Sequence, residues 1–336
     1  MRLTILSRSA HIASTARLVE AARQRGHAVR VLDPVKVEMH LDRDGAALYY
    51  RRKVLPRTDV VIPRIAQSIS TYGMAVVNQF ALRGVPVLNG THGISRARNK
   101  MRCLQLLASN GINIPPTVMA RNASDLREMA KLVGGVPVLV KLLRGQERRG
   151  VMVCETLASL EAALEAILGL GHDLILQQYV RRGGLDLRVL VVGGEAVAAV
   201  RRRPRMNRLS HTLIRGARLE PISLTEAQRV AAVRTASLVG LEVAGVDLID
   251  VRGQPQIFEV SSSPALTEME RATGLDLAQR IIARAEALVA EGHPGPARGR
   301  RAPGLPRRRA GVVGGGNATL ARLPPAPRVG RPGSRP

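Results

Sequence analysis

The first third of the chain alternates short apolar runs with stretches of helical spacing. Predicted strands cover Leu3–Leu6, Ala28–Leu32, Asp59–Ile65 and Val85–Leu88, and predicted helices cover His11–Gly26 and Gly73–Arg83. Strands that alternate with helices favour a parallel sheet with helices on both faces. We therefore expect an α/β domain over residues 1–95.

The pattern changes after residue 95 to strands that follow one another closely. Leu185–Val192 and Glu195–Arg203 form a predicted hairpin with Gly193-Gly194 at its turn. Further predicted strands are Val136–Leu143, Val151–Glu155, Asp173–Val180, Val243–Val251 and Gln256–Val260, and predicted helices are Ala97–Ser109, Leu160–Leu168, Leu224–Val239 and Leu275–Ala290. Antiparallel sheets with packed helices indicate an α+β catalytic part over residues 96–290.

In the last segment, residues 291–336, apolar residues follow neither the spacing of a helix nor the alternation of a strand. From Gly292 onward it contains nine Pro, ten Gly and ten Arg, with no Lys and no acidic residue. Such a composition buries too little apolar area to offset the entropy of ordering, which predicts a disordered basic tail. The tail supplies +10 of the net charge of +25 and leaves +15 for the folded part.

This charge invites a nucleic-acid interpretation, but the aromatic content argues against specific recognition. The chain has no Trp, two Phe and four Tyr, whereas single strands are usually bound on aromatic platforms. A basic surface that faces phosphates, ATP, or an acidic or ribosome-associated partner is still compatible with the charge. Nucleic-acid binding through the tail would show a steep salt dependence that disappears on truncation at Glu291.

Length and composition indicate a protein of the cell interior. The 336 residues suffice for two or three packed domains, and no apolar run approaches the roughly 20 residues that span a bilayer. The N-terminus is predicted as a strand rather than a signal peptide, so we expect a cytoplasmic location. Cys103 and Cys154 are isolated, which predicts two small buried apolar side chains rather than a disulfide or metal site.

Lys141 is the first candidate for chemistry. It lies at the end of a predicted strand, and the polar loop Arg144–Gly150 follows it. A lysine and the backbone N–H groups of such a loop can bind nucleotide phosphates. A surface lysine beside an ordinary β-turn is the alternative.

Asp247 and Glu259 are the second candidate. Each lies inside an apolar run, and the two runs are predicted strands joined by a tight turn at Arg252-Gly253. Burying a carboxylate without a partner is costly, and Mg²⁺ bound to carboxylates and phosphate oxygens would relieve that cost. Structural carboxylates bonded to Arg or to backbone N–H groups are the alternative.

The chain also carries arginines around the predicted hairpin, at positions 188, 201–203, 205, 208 and 215. Arginine binds phosphate and carboxylate in bidentate fashion. Because the cluster exceeds what one substrate needs, we interpret most of it as a solvated basic rim with one or two functional members.

Together these residues resemble the RimK family of ATP-grasp ligases, which add glutamate to the C-terminus of a small-subunit ribosomal protein. The resemblance runs from Met1 to about residue 290. It is carried by segments such as Ile5-Leu-Ser-Arg, Val61-Ile-Pro-Arg-Ile, Ala97-Arg-Asn-Lys, Val138-Leu-Val-Lys and Val243-Ala-Gly-Val-Asp. It implies an N-terminal pre-ATP-grasp domain, a two-part ATP-grasp domain and a homo-oligomer.

The resemblance also implies roles for individual residues. Lys100 and Lys141 would bind ATP phosphates, Gln178 and Tyr179 would form the hinge that binds adenine, and Asp186 would accept a hydrogen bond from the nucleotide. Asp247, Glu259 and Ser261 would hold Mg²⁺, or Mn²⁺ in its place. Arg188 and Arg215 would stabilise charge while an acyl phosphate forms and an amine displaces phosphate.

The chain departs from the family pattern on the nucleotide side. Arg148 replaces a central glycine of the mobile loop, Ser261 replaces an asparagine ligand, Ser210-His-Thr212 replaces Arg-Ser-Asn, and Gln178 replaces a hinge glutamate. Two hypotheses follow. In the first, the chain is an ATP-dependent ligase that joins glutamate or a related amino acid to a protein C-terminus or small acceptor through an acyl phosphate. In the second, it is a binding protein of ATP-grasp fold with impaired or no ligase activity, which acts on a ribosomal or enzyme partner.

Overall fold

The computed structural model describes residues 1–43, 45–120, 125–142, 151–169, 174–180, 185–203 and 218–292. The strands are β1 (Arg2–Leu6), β2 (Ala28–Leu32), β3 (Val37–Asp42), β4 (Gly45–Tyr50), β5 (Lys53–Val54), β6 (Val60–Pro63), β7 (Thr117–Ala120), β8 (Val138–Leu142), β9 (Val151–Cys154), β10 (Leu174–Gln178), β11 (Leu185–Val192), β12 (Glu195–Arg203), β13 (Arg218–Pro221), β14 (Val243–Val251) and β15 (Gln254–Ser261). The α-helices are α1 (Ala13–Gln24), α2 (Ser70–Leu82), α3 (Thr91–Arg98), α4 (Lys100–Ser109), α5 (Leu126–Leu132), α6 (Leu157–Gly169), α7 (Glu226–Val239), α8 (Leu266–Thr273) and α9 (Leu277–Ala290).

The N-terminal part is built on a parallel sheet, as predicted. Its strand order is β2-β1-β6, and both pairings of β1 are parallel. The predicted strand Val85–Leu88 is reduced to an isolated bridge between Val61 and Val87. A small antiparallel sheet, β3-β4-β5, was not predicted, although buried Val37 and Leu48 attach it to the core around β6 and α2.

The predicted helix Ala97–Ser109 is divided into two helices at Asn99. Asn99 has an extended backbone, with φ −88° and ψ 91°, and its side chain accepts a hydrogen bond from the Arg102 N–H at 3.0 Å. Asparagine is a favourable N-cap because its side chain satisfies a free N–H of the first turn. The cap makes Lys100 the first residue of α4.

Two antiparallel sheets form the rest of the described chain, which confirms the predicted α/β plus α+β fold class. One has the order β7-β10-β8-β9, and buried residues of α5 and α6 pack on it. The other has the order β13-β12-β11-β14-β15. Cys103 and Cys154 are buried and unpaired, as predicted.

The two faces of the five-stranded sheet have different partners. Leu187, Val189 and Val191 of β11 share a core with α7. Leu190 and Val192 lie on the opposite face and share a core with β1, α1, α8 and α9. Side chains alternate along a strand, so Asp186 and Arg188 belong to the face of Leu190. These polar residues occupy the end of that face, beyond the packed apolar core.

No described helix combines the length and apolar character needed to cross a membrane. The tail from residue 293 onward lies outside the described residues, and so does the predicted disorder there.

Candidate active site

Three charged residues lie in one row across neighbouring strands of the five-stranded sheet. Arg188 of β11 is directly opposite Asp247 of β14, and Asp247 is directly opposite Glu259 of β15. Directly opposite residues of antiparallel strands project from the same face with their Cβ atoms about 5 Å apart. The structure therefore places the two predicted metal-binding carboxylates on adjacent strands, beside the predicted catalytic arginine.

Asp247 is buried and fully paired. Its side chain is 1% exposed, and Arg188 donates to both oxygens, from Nε to Oδ1 at 2.6 Å and from Nη2 to Oδ2 at 2.7 Å. A second arginine, Arg202, has Nη1 2.9 Å from Oδ2. Burial raises the pKa of Asp247, but the charges and hydrogen bonds of Arg202 and Arg188 outweigh it and leave the pKa below its usual range. The carboxylate is therefore ionised at neutral pH.

Arg202 also binds Asp186, the residue predicted to contact the nucleotide. Its Nε and Nη2 donate to Asp186 Oδ1 at 2.9 and 2.6 Å. Its side chain is 9% exposed, so Arg202 is not part of the solvated rim that we predicted for most of the arginine cluster. Partial burial raises the pKa of Asp186, although Arg202 acts in the opposite direction.

A β-bulge brings Phe258 into the same site. Asp247 pairs with Glu259 but Leu248 pairs with Ile257, which leaves Phe258 as the extra residue of β15. The Arg202 guanidinium carbon lies 5.8 Å from the Phe258 ring centre, and the Lys141 Nζ lies 5.6 Å from it. Both distances are in the range of cation–π contacts. Phe258 thus joins the five-stranded sheet to the four-stranded sheet that carries Lys141.

The two predicted phosphate-binding lysines approach the row of carboxylates from different elements. Lys141 of β8 donates from Nζ to Gln177 Oε1 at 2.5 Å. Lys100, at the start of α4, has its Nζ 3.8 Å from Glu259 Oε1. Burial lowers the pKa of Lys141 to about 8; Glu259 opposes this shift and Lys100 adds to it. The site therefore contains an amine whose charge changes within an accessible pH range.

The predicted adenine hinge, Gln178 and Tyr179, lies at the end of β10. Gln178 pairs with Val138, and its N–H donates to the Pro116 carbonyl at 2.9 Å. Both residues are half-buried. The structure places them at the end of the strand next to β8, which carries Lys141.

Ser261, the third predicted metal ligand, lies two residues beyond Glu259 and opposite Gly245. Its Oγ accepts a hydrogen bond from the Ser263 N–H at 3.3 Å. Within the described residues, no group of three or more His, Cys, Asp or Glu side chains could form a complete metal cage. This donor set fits Mg²⁺, which binds few carboxylates and takes its other ligands from phosphate and water.

Three predicted features lie outside the described residues: Arg215, the loop Arg144–Gly150 and the segment Ser210-His-Thr212. Two residues of the site, Arg202 and Phe258, were not among the predicted site residues. The arginine pattern pointed to the right strand, but no sequence signal distinguished Arg202 from its neighbours.

Comparison with protein-family models accounts for nearly all of the described chain. A RimK PreATP-grasp domain matches residues 1–94, and a RimK-like ATP-grasp domain matches residues 97–285. The chain belongs to the RimK family of ATP-grasp proteins.

Relatives of similar length support this membership. A probable alpha-L-glutamate ligase of Thioalkalivibrio sulfidiphilus is 42% identical over 283 residues, which cover 84% of this chain and 94% of the relative. A protein of the same description from Serratia proteamaculans is 41% identical over 296 residues, which cover 88% of this chain and 98% of the relative.

Solved structures share the fold at lower identity. The ATP-grasp ligase PsnB, in complex with a minimal precursor, superposes with a TM-score of 0.70 at 20% identity, over 85% of this chain and 98% of PsnB. D-alanine–D-alanine ligase of Bacillus anthracis, in complex with ATP, gives 0.62 at 15% identity, over 87% of this chain and 98% of that ligase. Family membership supports an ATP-dependent ligase that forms a C–N bond rather than a binding protein without activity.

Proposed function

We propose that this RimK-family chain uses ATP to join L-glutamate, or a related amino acid, to the carboxylate of a peptide or small acceptor. The observation that carries the proposal is the convergence of Lys100 and Lys141 on the carboxylates Asp247 and Glu259, in a chain related to probable alpha-L-glutamate ligases. Amines opposite paired carboxylates suit the triphosphate of ATP and its divalent cation.

The reaction would proceed in two steps. A carboxylate oxygen of the acceptor attacks the γ-phosphorus of ATP. The bond between this phosphorus and the oxygen that bridges to the β-phosphate breaks, so ADP departs and the acceptor carries an acyl phosphate. The amino group of glutamate then attacks the acyl carbon, inorganic phosphate leaves, and the amine loses a proton. Both steps move negative charge among oxygens, which fixed cations stabilise without reorganisation.

The residues of this chain would divide that work. Lys100 and Lys141 would bind phosphate oxygens, and Gln178 and Tyr179 would bind adenine from the edge of the four-stranded sheet. Asp186 would hold the nucleotide, and Arg188 and Arg215 would stabilise the transferring phosphoryl group. Asp247 and Glu259, with Ser261, would hold Mg²⁺ or Mn²⁺, which neutralises phosphate charge when it is bound.

Residues 1–95 would act as the pre-ATP-grasp domain and residues 96–290 as the ATP-grasp domain. Peptide precursors bound to the ATP-grasp ligase PsnB support a peptide acceptor, and a ribosomal protein C-terminus is one acceptor of that kind. We also propose a homo-oligomer in the cytoplasm, where ATP is available.

The test is product formation by the purified full-length chain. We expect ADP release that requires glutamate, a Glu-ended peptide and millimolar Mg²⁺, and a peptide product heavier by one glutamate residue in mass spectrometry. Asp247→Asn is the matched loss-of-function variant. Stabilisation by Mg²⁺-ATP without ADP release, across a panel of peptide and small-molecule acceptors, would refute the ligase activity.

A further inference from the structure

The site has an excess of positive charge among its described side chains. Its cations are Arg188, Arg202, Lys141 and Lys100, and its carboxylates are Asp186, Asp247 and Glu259. The cations therefore exceed the carboxylates by one. A free divalent cation would add to this excess, whereas a nucleotide triphosphate would reverse it.

The positive charge lies directly on the carboxylate proposed to hold the metal. Asp247 Oδ2 has Arg188 Nη2 at 2.7 Å and Arg202 Nη1 at 2.9 Å. Arg188 donates a hydrogen bond to this oxygen, and the charged Nη1 of Arg202 lies in ion-pair contact with it. A divalent cation that approached this oxygen would meet both guanidinium charges at contact distance, so its binding is opposed while both arginines stay in place.

The two arginines differ in how many contacts each would lose by moving away from Asp247. Arg188 lies directly opposite Asp247 and binds it with two parallel hydrogen bonds, and Asp247 is its principal partner. Arg202 has one contact with Asp247 but two hydrogen bonds with Asp186. If Arg202 turned away from Asp247, its pairing with Asp186 could persist.

We propose that Arg202 is a positioning residue that blocks Asp247 from free divalent cations and releases it when nucleotide phosphates enter the site. The metal and the nucleotide then load together, because the phosphates supply the negative charge that Arg202 needs as a new partner. This inference rests on the proposed function only in assigning the cation to Asp247. It adds a site residue that the sequence pattern did not single out.

The inference is tested by titrating the full-length chain with Mn²⁺ alone, without nucleotide, while electron paramagnetic resonance measures the free ion. We expect weak binding to the wild type and binding at least about tenfold tighter to Arg202→Met, because a unit charge is removed next to the ligand oxygen. Arg201→Met is the matched control. It removes the same charge one residue away, on the opposite face of β12, where Arg201 pairs with Leu187. We expect its Mn²⁺ affinity to match that of the wild type.

The double variant Arg202→Met, Asp247→Asn locates the gained site and should lose the gain. Unchanged or weaker Mn²⁺ binding by Arg202→Met would overturn the inference, and so would a gain that survives Asp247→Asn or appears equally in Arg201→Met. Arg202→Gln, which can still donate to Asp186, replaces Arg202→Met if the methionine variant does not fold, with the same expected gain. The Mn²⁺ titration does not measure turnover. A failure of the proposed ligase activity would therefore be seen in a different experiment, as an absence of ADP release by the wild type.

Discussion

At the scale of single residues, the site is a set of charges whose state depends on burial. Asp247 is 1% exposed and still ionised, because two guanidinium groups bind its carboxylate. Lys141 has lost part of its hydration, and among the described side chains its Nζ donates to the neutral Gln177 amide rather than to a carboxylate. Burial therefore lowers the pKa of Lys141 to about 8, whereas the two arginines keep the pKa of Asp247 low although burial alone would raise it.

The lowered pKa of Lys141 predicts a pH dependence of nucleotide binding. Burial brings this pKa to about 8, so the amine is charged below pH 8 and loses its charge as the pH rises through that value. We expect the affinity for Mg²⁺-ATP, measured by isothermal titration calorimetry, to fall about threefold to tenfold between pH 7 and pH 9.5.

Lys141→Arg provides the control for this prediction, because its guanidinium stays charged over the same range. Its affinity should be nearly independent of pH above 7. A wild-type profile that is equally flat would exclude Lys141 as the titrating phosphate ligand.

At the scale of elements, irregularities in the strands decide which side chains meet. The bulge in β15 adds Phe258 to the site, and a second irregularity between Leu190 and Val191 shifts the hairpin register by one residue. Next to the turn, Val192 pairs with Glu195. If that register continued along both strands, Arg201 would lie opposite Asp186. After the shift, Leu187 pairs with Arg201, and Arg202 reaches Asp186 instead. The hairpin itself was predictable from Gly193-Gly194, but this register was not.

A close approach of two helices predicts a glycine requirement. A Cβ on Gly93 of α3 would lie 2.1 Å from the carbonyl oxygen of Gly240, the left-handed residue that ends α7. Gly93→Ala should therefore push α3 away from α7 and lower the free energy of unfolding by about 1–3 kcal/mol, measured by urea denaturation.

Gly90→Ala is the matched control, because nothing lies within 4 Å of its added Cβ and its φ is −70°. We expect a smaller loss there, of about 0.5–1 kcal/mol, because Gly90 is the N-cap of α3 and alanine is a poorer N-cap than glycine. Equal destabilisation by both substitutions would mean that the contact between Gly93 and Gly240 does not set the spacing of the helices.

At the scale of the whole molecule, the described chain is joined through shared cores rather than through a thin linker. One core contains Leu3, Ile5 and Leu18 from the N-terminal part together with Leu190 and Ile282 from the C-terminal part. Asn89 adds a polar joint: its Nδ2 donates to the carbonyl oxygens of Val243 at 2.7 Å and Ser262 at 3.1 Å, and its Oδ1 accepts from the Val243 N–H at 2.8 Å. A substitution that weakens packing on one side of this core should therefore lower the stability of the other side as well.

Leu18→Ala tests that coupling. Leu18 is 1% exposed in α1, so its truncation should cost about 2–5 kcal/mol. We expect scanning calorimetry to show one unfolding transition, shifted as a whole to lower temperature.

Leu132→Ala, at a position that is 70% exposed, should leave the transition nearly unchanged. Two transitions, of which only the first responds to Leu18→Ala, would show that the parts unfold independently.

The sequence by itself determined the parallel N-terminal sheet, the antiparallel catalytic sheets and the placement of Asp247 and Glu259 on two neighbouring strands, because periodicity and turn residues are local signals. Continuing the register of the turn would place Asp247 opposite Phe258, and the bulge pairs it with Glu259 instead. Only the tertiary structure decided that Arg202 rather than Arg201 binds the carboxylates and that Phe258 lies between Arg202 and Lys141. The physical reason is that a bulge of one residue exchanges the faces of a strand, and its position depends on packing across the sheet. The strand pairing also decided the partners of Asp247. The sequence indicated that this carboxylate is buried, and the structure shows that arginines of β11 and β12 pair with it.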